Sequence, residues 1–252
     1  MKEYNNEKYI VSFTTFGERI KYCEKMIETL KSQSYKDFHI VITLWEGDVK
    51  YISENFNRYI ENNEIELIVT NDDLKSHKKY FYVMQKYWDK PIITVDDDRY
   101  YYPDTIEKLV KFHEKYPKYI VANCAIRLKI LNGNLLPLSY WNIRLEENEV
   151  SYMAMAEGFG GILYPEKCFN NLEKETNRIN KCLYDDDLFL KVLEIEHEIP
   201  VVATGNPGSH SEDNNIQEML KYNLHRNQNK DNINRNNMVK LFENELMKGL
   251  YL

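Results

Sequence analysis

PIITVDDDRYYYP, residues 91–103, is the stretch on which the reading of this chain turns. Ile92, Ile93, Thr94 and Val95 form a short apolar, β-branched run. Such a run predicts a strand buried on both faces, as in a parallel sheet. It stops at three consecutive carboxylates, Asp96, Asp97 and Asp98. A core does not tolerate three unpaired carboxylates, so they must leave the sheet at the strand's C-terminal end. Open α/β sheets bind ligands at that edge. On a continuing strand Asp96 and Asp98 would point one way and Asp97 the other. Two like charges on one side call for a cation, most simply a hard divalent metal with oxygen ligands. The plain alternative is an acidic loop in solvent, and against it stands the direct junction with a buried strand.

Working outward, strands and helices alternate upstream of this stretch. YIVSFTTF at 9–16 predicts a first strand. Residues 18–33 predict a helix, with Ile20, Cys23, Ile27 and Leu30 at helical spacing. FHIVITLW at 38–45 predicts a second strand, 49–62 a helix, IELIVT at 65–70 a third strand, and 74–88 a helix. Downstream, Asp104 and Glu107 form a capping-box pattern at the start of a helix, and YIVANCA at 119–125 predicts a further strand. This alternation is the pattern of a parallel sheet with helices on both faces.

Beyond residue 125 the alternation lapses. Residues 126–157 predict irregular or antiparallel chain, with LNGN at 131–134 as a hairpin turn. Gly158, Gly160 and Gly161 permit close backbone approach to a ligand or to a neighbouring strand. YDDDLF at 184–189 opens another helix, and residues 199–203 predict a short strand that leads into GNPGSH, ending at His210. From Asp213 the chain is asparagine-rich and polar, with weak helical runs near 216–224 and 238–247. The expectation is an α/β domain over 1–212 and a helical extension over 213–252.

The 252 residues allow one large domain or two small ones. A composition of 43% hydrophobic and 29% charged residues is that of an ordinary soluble globular protein. The net charge of −7 argues against general nucleic-acid binding. Cys23, Cys124, Cys168 and Cys182 form no C-x-x-C pair, so neither a zinc site nor a disulfide framework is indicated. MKEYNNEKYI at the N-terminus lacks an apolar signal core. No run approaches the roughly 18 apolar residues that a membrane span needs. A cytoplasmic protein is expected, with peripheral attachment to the inner face of the cytoplasmic membrane left open.

Taken together, these residues resemble the GT-A fold glycosyltransferases. More narrowly, they resemble bacterial glycosyltransferases of surface-polysaccharide (capsule and lipopolysaccharide) synthesis. The similar segments are IVSFTTFGERI at 10–20, HKKYFYVMQKY at 77–87, IITVDDDRYYYPDTIEKLV at 92–110, IVANCAIR at 120–127, GFGGILYP at 158–165 and DDDLFLKVL at 185–193. Lys75 and Ser76 depart from the pattern, standing where it has a Gly-Pro turn.

The resemblance implies a mostly parallel, Rossmann-like central sheet flanked by helices, with a smaller antiparallel acceptor-side part. It implies metal-dependent transfer of a sugar from a nucleotide-diphosphate donor, first of all a UDP-sugar, to a glycan or lipid-linked acceptor. Asp98 would ligate Mn2+ or Mg2+ directly. Asp96 would face the ribose or the metal, and Asp97 would join the donor side. Residues 14–19, with Thr14 and Arg19, would border the nucleotide. Gly160 and Gly161 would line the sugar pocket. Asp185, Asp186 and Asp187 would supply the catalytic base, and His210 a third metal ligand.

The chemistry needs these residue types. The departing nucleoside diphosphate gathers negative charge, which a divalent cation on its oxygens stabilises. The acceptor hydroxyl must lose a proton, and a positioned carboxylate takes it for a gain of about 10²–10⁴-fold in rate. Asp186 is the first choice for that base, then Asp187, then Asp185. The plain alternative is that all three complement a helix dipole, worth about 0.3–1 kcal/mol each. Lys78 and Lys79 would contact phosphate or the uracil edge, or else form a solvated helix face. Arg19 would meet the diphosphate or lie on the surface at a helix start. Arg99 would offset the acids, and Trp45, Trp88 and Trp141 would be sugar platforms or core.

Two other classes compete. A nucleotidyltransferase or phosphohydrolase also uses paired aspartates, but the chain has neither G-x-x-x-x-G-K-[ST] nor an early Asp-x-Asp-x-Thr. A non-catalytic binding module would keep the fold. The discriminator is whether residues 185–187 face residues 96–98 within one sugar's width.

Overall fold

The β-branched runs of the first half become strands, and the computed structural model describes residues 7–211 and 233–252. β1 (Tyr9–Thr14), α1 (Cys23–Lys31), β2 (Phe38–Trp45), α2 (Glu54–Glu61), β3 (Ile65–Thr70), α3 (Lys78–Lys86) and β4 (Ile92–Thr94) alternate in sequence. The three helices expected over 18–33, 49–62 and 74–88 each begin with a 3-10 turn, at Gly17–Tyr22, Glu46–Tyr51 and Lys75–His77. The Gly17 amide at one entry donates to Asp48 Oδ1 at 2.9 Å, and the Lys75 amide at another to Asp73 Oδ1 at 3.2 Å. α2 has its own cap, with the Phe56 amide donating to Ser53 Oγ at 3.0 Å.

Next come β5 (Tyr100–Tyr101), α4 (Thr105–Lys115), β6 (Ile120–Ala122), β7 (Ala125–Arg127), β8 (Ile130–Leu131), β9 (Asn134–Leu135), β10 (Val150–Ser151), β11 (Ala154–Ala156) and β12 (Ile162–Tyr164). They are followed by α5 (Thr176–Ile179), α6 (Asp186–Glu196), β13 (Val201–Ala203), β14 (Ser209–His210), α7 (Ile233–Leu241) and α8 (Glu243–Lys248). The expected capping box at α4 does not form. Asp104 flanks the helix, but its carboxylate goes to Lys108 at 2.6 Å, and Glu107 goes to Lys111 at 2.7 Å. Lysines one turn on compete for both acids.

The central sheet has eight strands in the order β10-β13-β6-β12-β4-β1-β2-β3. β4, β1, β2 and β3 run parallel, as do β13 and β6. β12 inserts antiparallel between β4 and β6, and β10 closes one edge antiparallel. Small antiparallel pairs, β7–β11, β5–β14 and β8–β9, lie outside this sheet. The LNGN hairpin forms as expected, with Asn132 and Gly133 both at positive φ, +51° and +77°.

Alternation along β4 divides the core. Ile92 faces the cluster that contains α3 and α6, while Ile93 and Val95 face the one that contains α1 and α4. All three are buried, each worth roughly 1.5–3 kcal/mol. The helical run near 238–247 falls in α7 and α8, whose Met238, Val239, Phe242 and Leu246 join the α6 core. The run near 216–224 lies outside the described residues. Among the described residues no helix is long and apolar enough to cross a membrane.

Candidate active site

β4 ends at Thr94, and Asp97 and Asp98 lie in a turn. The strand alternation expected for the triplet therefore does not hold, because no ladder fixes the backbone there. Asp97 and Asp98 share one cation instead. Arg19 Nε donates to Asp97 Oδ2 at 3.0 Å, and its Nη2 pairs with Asp97 Oδ1 and lies 3.2 Å from Asp98 Oδ2. Arg19 comes from the 3-10 turn after β1 and is only 5% exposed. Burial opposes its charge, but Asp97 and Asp98 outweigh that and raise the guanidinium above its ordinary range. Thr14 Oγ1 donates to the Thr43 carbonyl at 2.7 Å, tying the ends of β1 and β2 together.

Asp96 turns the other way, with its carboxylate 2.7 Å from Lys79 Nζ. The same ammonium lies 2.7 Å from Asp186 Oδ2. One buried lysine thus bridges the acid triplet after β4 to the acid cluster that opens α6. Ser12 Oγ donates to the Lys79 carbonyl at 2.6 Å, fixing α3 on β1. His77 is fully buried, with Nδ1 2.7 Å from the Tyr80 hydroxyl and Nε2 3.1 Å from the Cys182 carbonyl. It holds the entry of α3 against the loop before α6. Lys78, 1% exposed, pairs with Asp73 and is sealed from the acids. Neither lysine belongs to a solvated face.

The three acids of α6 have separate environments. Asp185 is the N-cap, accepting from the Leu188 amide at 3.1 Å, and it pairs with Arg235. Burial works against ionisation of Asp186, yet Lys79 and His77 prevail and bring its pKa down to about 2. Asp187 is pushed well above the usual carboxylate range by burial and then by the Asp186 charge beside it. Neighbouring acids thus differ: Asp186 is held ionised in an ion pair, whereas Asp187 binds a proton more tightly.

The glycines divide too. The Gly158 amide donates to Asp187 Oδ1 at 3.2 Å. A Cβ at Gly158 would lie 2.9 Å from Lys79 Nζ, 3.0 Å from Asp187 Oδ1 and 3.4 Å from Asp96 Oδ1. Gly158 therefore stands between the two acid clusters. Gly160 packs instead on Cys124, where a Cβ would lie 3.1 Å from the backbone nitrogen. Gly161, at φ +88°, faces Leu109, Asn123 and Thr105. For these two residues the close approach is to a neighbouring stretch of chain.

His210 lies opposite Tyr100 in the β14–β5 pair, two residues past Asp98, with its ring centroid 5.8 Å from that of Tyr100 and 5.3 Å from that of Tyr102. Among the described residues no group of three or more His, Cys, Asp or Glu side chains is assembled to hold a metal. The two-carboxylate set nonetheless suits a hard cation. Asp96, Asp97, Asp98 and Asp186 share two cations, Arg19 and Lys79. The Asp96 and Asp98 side chains keep 30% and 15% exposure. Carboxylate oxygens that solvent can reach are the donors that Mn2+ and Mg2+ prefer.

The tryptophans are not at this site. Trp141 is buried, with its indole N–H on the Leu136 carbonyl at 2.8 Å, and Trp45 donates to the Asn71 carbonyl. Trp88 lines a cleft of about 540 Å³ with Tyr87, Ile92, Pro165 and Phe169. That cleft lies at the start of β4, whereas the acids follow its end.

The sequence marked no site role for His77, Asp73 or Arg235, and it did not separate Gly158 from Gly160 and Gly161. The first two adjoin the lysine pair, where the HKK segment was a usable signal. Arg235 stands in the asparagine-rich tail, where nothing marked it.

No family model matches the sequence, and no curated protein does. Solved structures do. The chain is similar to the mannosyltransferase PcManGT from Pyrobaculum calidifontis, in complex with GDP-Man and Mn2+, at 11% identity and TM-score 0.56, over 84% of this chain and 59% of that one. It is similar to S. aureus TarS 1-349 in complex with UDP-GlcNAc, at 13% identity and TM-score 0.54, over 83% and 60%. It is also similar to CMP:2-keto-3-deoxy-manno-octonic acid synthetase complexed with CTP, at 10% identity and TM-score 0.51, over 90% and 100%. The chain thus spans about three-fifths of the length of the first two. With the mostly parallel sheet and its inserted antiparallel strand, these likenesses show the fold: the chain has the Rossmann-like GT-A architecture.

Proposed function

We propose that this chain is a glycosyltransferase that takes a nucleotide-sugar donor and a divalent cation, Mn2+ or Mg2+. The single observation that carries the reading is Lys79, whose one ammonium lies 2.7 Å from both Asp96 and Asp186. A single ammonium between them keeps Asp96 and Asp186 within about one sugar's width, which supports transfer over a non-catalytic module. The likeness in fold to structures holding UDP-GlcNAc and GDP-Man supports a nucleotide sugar as the donor. A UDP-sugar remains the first candidate, with a glycan or lipid-linked acceptor of surface-polysaccharide synthesis. With a lipid-linked acceptor the enzyme would work at the inner face of the cytoplasmic membrane.

Asp98 and Asp96 would hold the cation, with His210 as the third ligand. Bound there, it would act as a Lewis acid on the leaving diphosphate. Arg19 fixes Asp97 and Asp98, and Lys79 fixes Asp96 against α6. Asp187 is a better base than Asp186. Asp186 is locked in an ion pair and is weakly basic, whereas Asp187 has a raised proton affinity and accepts from the Gly158 amide, beside the gap between the clusters.

The test is release of nucleoside diphosphate from a panel of nucleotide sugars with Mn2+. Asp187→Asn should bind donor but lose about 10²-fold or more in transfer rate. Normal transfer by Asp187→Asn would remove the base assignment. The competing reading, nucleotidyl transfer, would instead release pyrophosphate from a nucleoside triphosphate, and the same panel distinguishes the two products.

A further inference from the structure

We infer that α7 and α8 are a working part of the catalytic half, and that Arg235 is a positioning residue holding the acid-bearing first turn of α6 toward Gly158. The catalytic consequence rests on the function proposed above.

Asp185 is the residue that caps α6. This carboxylate is 2% exposed. Its Oδ1 accepts the Leu188 amide at 3.1 Å, capping α6. The same oxygen accepts from Arg235 Nη2 at 3.3 Å, while Oδ2 pairs with Arg235 Nε. A buried carboxylate of this kind is strongly destabilising unless a cation meets it, and the Arg235 guanidinium does so, with a hydrogen bond from Nη2 and an ion-pair contact from Nε. The cap, and through it the direction of the next two residues, is therefore held from the far end of the chain.

The two helices that deliver Arg235 are firmly seated. Met238, Val239, Phe242 and Leu246 are buried in the core that includes α6. The Phe242 ring lies 6.0 Å from that of Phe189 on α6, and the Arg178 guanidinium lies 5.6 Å from each. The same helices also grip the other wall. Asn236 Oδ1 accepts the Leu138 amide at 3.0 Å, and Glu243 Oε1 accepts the Leu135 amide at 3.2 Å. Leu135 ends β9 of the hairpin and Leu138 follows it, and the chain then leads to Arg144, which bridges to Ile126 of β7. One helical pair thus ties the acid helix to the antiparallel wall, and Gly158 follows β11, the partner of β7 in that wall.

A displacement of about 1 Å in a catalytic group costs roughly 10²-fold in rate. Loss of the Arg235 contact should thus lower turnover without touching the half of the sheet that carries Asp96 and Asp98.

The experiment uses the full chain and the variants Arg235→Ala and Arg235→Lys. Three quantities are read: UDP binding with Mn2+ by calorimetry, kcat and KM for transfer, and amide hydrogen exchange of residues 186–190 against residues 9–14. The expected result for Arg235→Ala is faster exchange at 186–190 alone, UDP affinity and donor KM within about twofold, and kcat lower by about tenfold or more. Arg235→Lys should recover part of both changes. Unchanged exchange at 186–190 in Arg235→Ala overturns the inference. So does an equal rise at 9–14 with lost UDP binding, since Arg235 would then be a general folding anchor. If the wild-type chain transfers no sugar, the functional proposal fails, while the exchange arm still decides whether Arg235 holds α6.

Discussion

Gly158→Ala isolates the geometry at the centre of the site. Gly158 does not have positive φ, unlike Gly161, so alanine meets no backbone strain there. The effect is steric alone. The new methyl would lie 2.9 Å from Lys79 Nζ and 3.0 Å from Asp187 Oδ1. Both contacts fall roughly half an ångström or more inside ordinary carbon contact distance. A lysine tip normally swings aside, but this one is held at 2.7 Å by two carboxylates. The first turn of α6 or the Gly158 loop must therefore shift by about half an ångström, for roughly 10–10²-fold in transfer rate. The overpacking should cost about 1–3 kcal/mol of stability.

Gly161→Ala is the comparison. Its Cβ would find ordinary contacts of 3.5 Å or more, but φ is +88°. It should lose about 1–2 kcal/mol of stability with transfer rate within a few-fold of wild type. The assay is steady-state nucleoside diphosphate release for both variants, with urea unfolding alongside. Wild-type rate in Gly158→Ala, or equal rate loss in both variants, would refute the steric reasoning.

Two further predictions follow from the acids. Asp98→Ala should abolish metal-dependent nucleotide binding while the fold persists, because the lost group lies in a turn past the sheet edge; calorimetry showing unchanged, chelator-resistant binding would sink the cation assignment. Glu66 on β3 should make the fold acid-sensitive. Burial opposes its ionisation, but His39 at 3.3 Å, Lys86 at 2.6 Å and Tyr87 bring its pKa from 4.5 down to about 2. A depressed folded value means stability that is fully present above pH 4.5 and lost as pH falls to about 2. Lys86 is 53% exposed, so solvent screening cuts the worth to about 1–2 kcal/mol. Glu66→Gln should lack that part of the acid transition in urea titrations at pH 2–5, and an identical pH profile would contradict it.

Local order was legible wherever one periodicity ruled. β2 and β3 run over the residues their β-branched runs marked: alternate side chains of β2 enter two packed faces, and β3 pairs along it at the sheet edge. The LNGN hairpin was legible because asparagine and glycine accept positive φ. The helix entries were not, since the turns at Gly17–Tyr22 and Lys75–His77 are preceded by Phe16 and Leu74, which cannot cap, and the Gly17 and Lys75 amides go to Asp48 and Asp73 instead. Asp104 and Glu107 looked like a capping box because the pattern says nothing of Lys108 and Lys111 one turn later.

The site divides the same way. The sequence by itself determined that a buried strand ends in Asp96 to Asp98 and that a helix opens with Asp185 to Asp187. Both follow from short-range physics, since apolar runs bury by themselves and carboxylates bury only where a partner meets them. Only the tertiary structure decided that Lys79 joins the two clusters, that Lys78 beside it belongs to Asp73, and that Gly158 rather than Gly160 or Gly161 stands between the acids. It also decided that Asp185 is held by Arg235, fifty residues away. Identical neighbours in sequence acquire different proton affinities because each meets a different partner across the fold, and those partners come from strands and helices far apart along the chain.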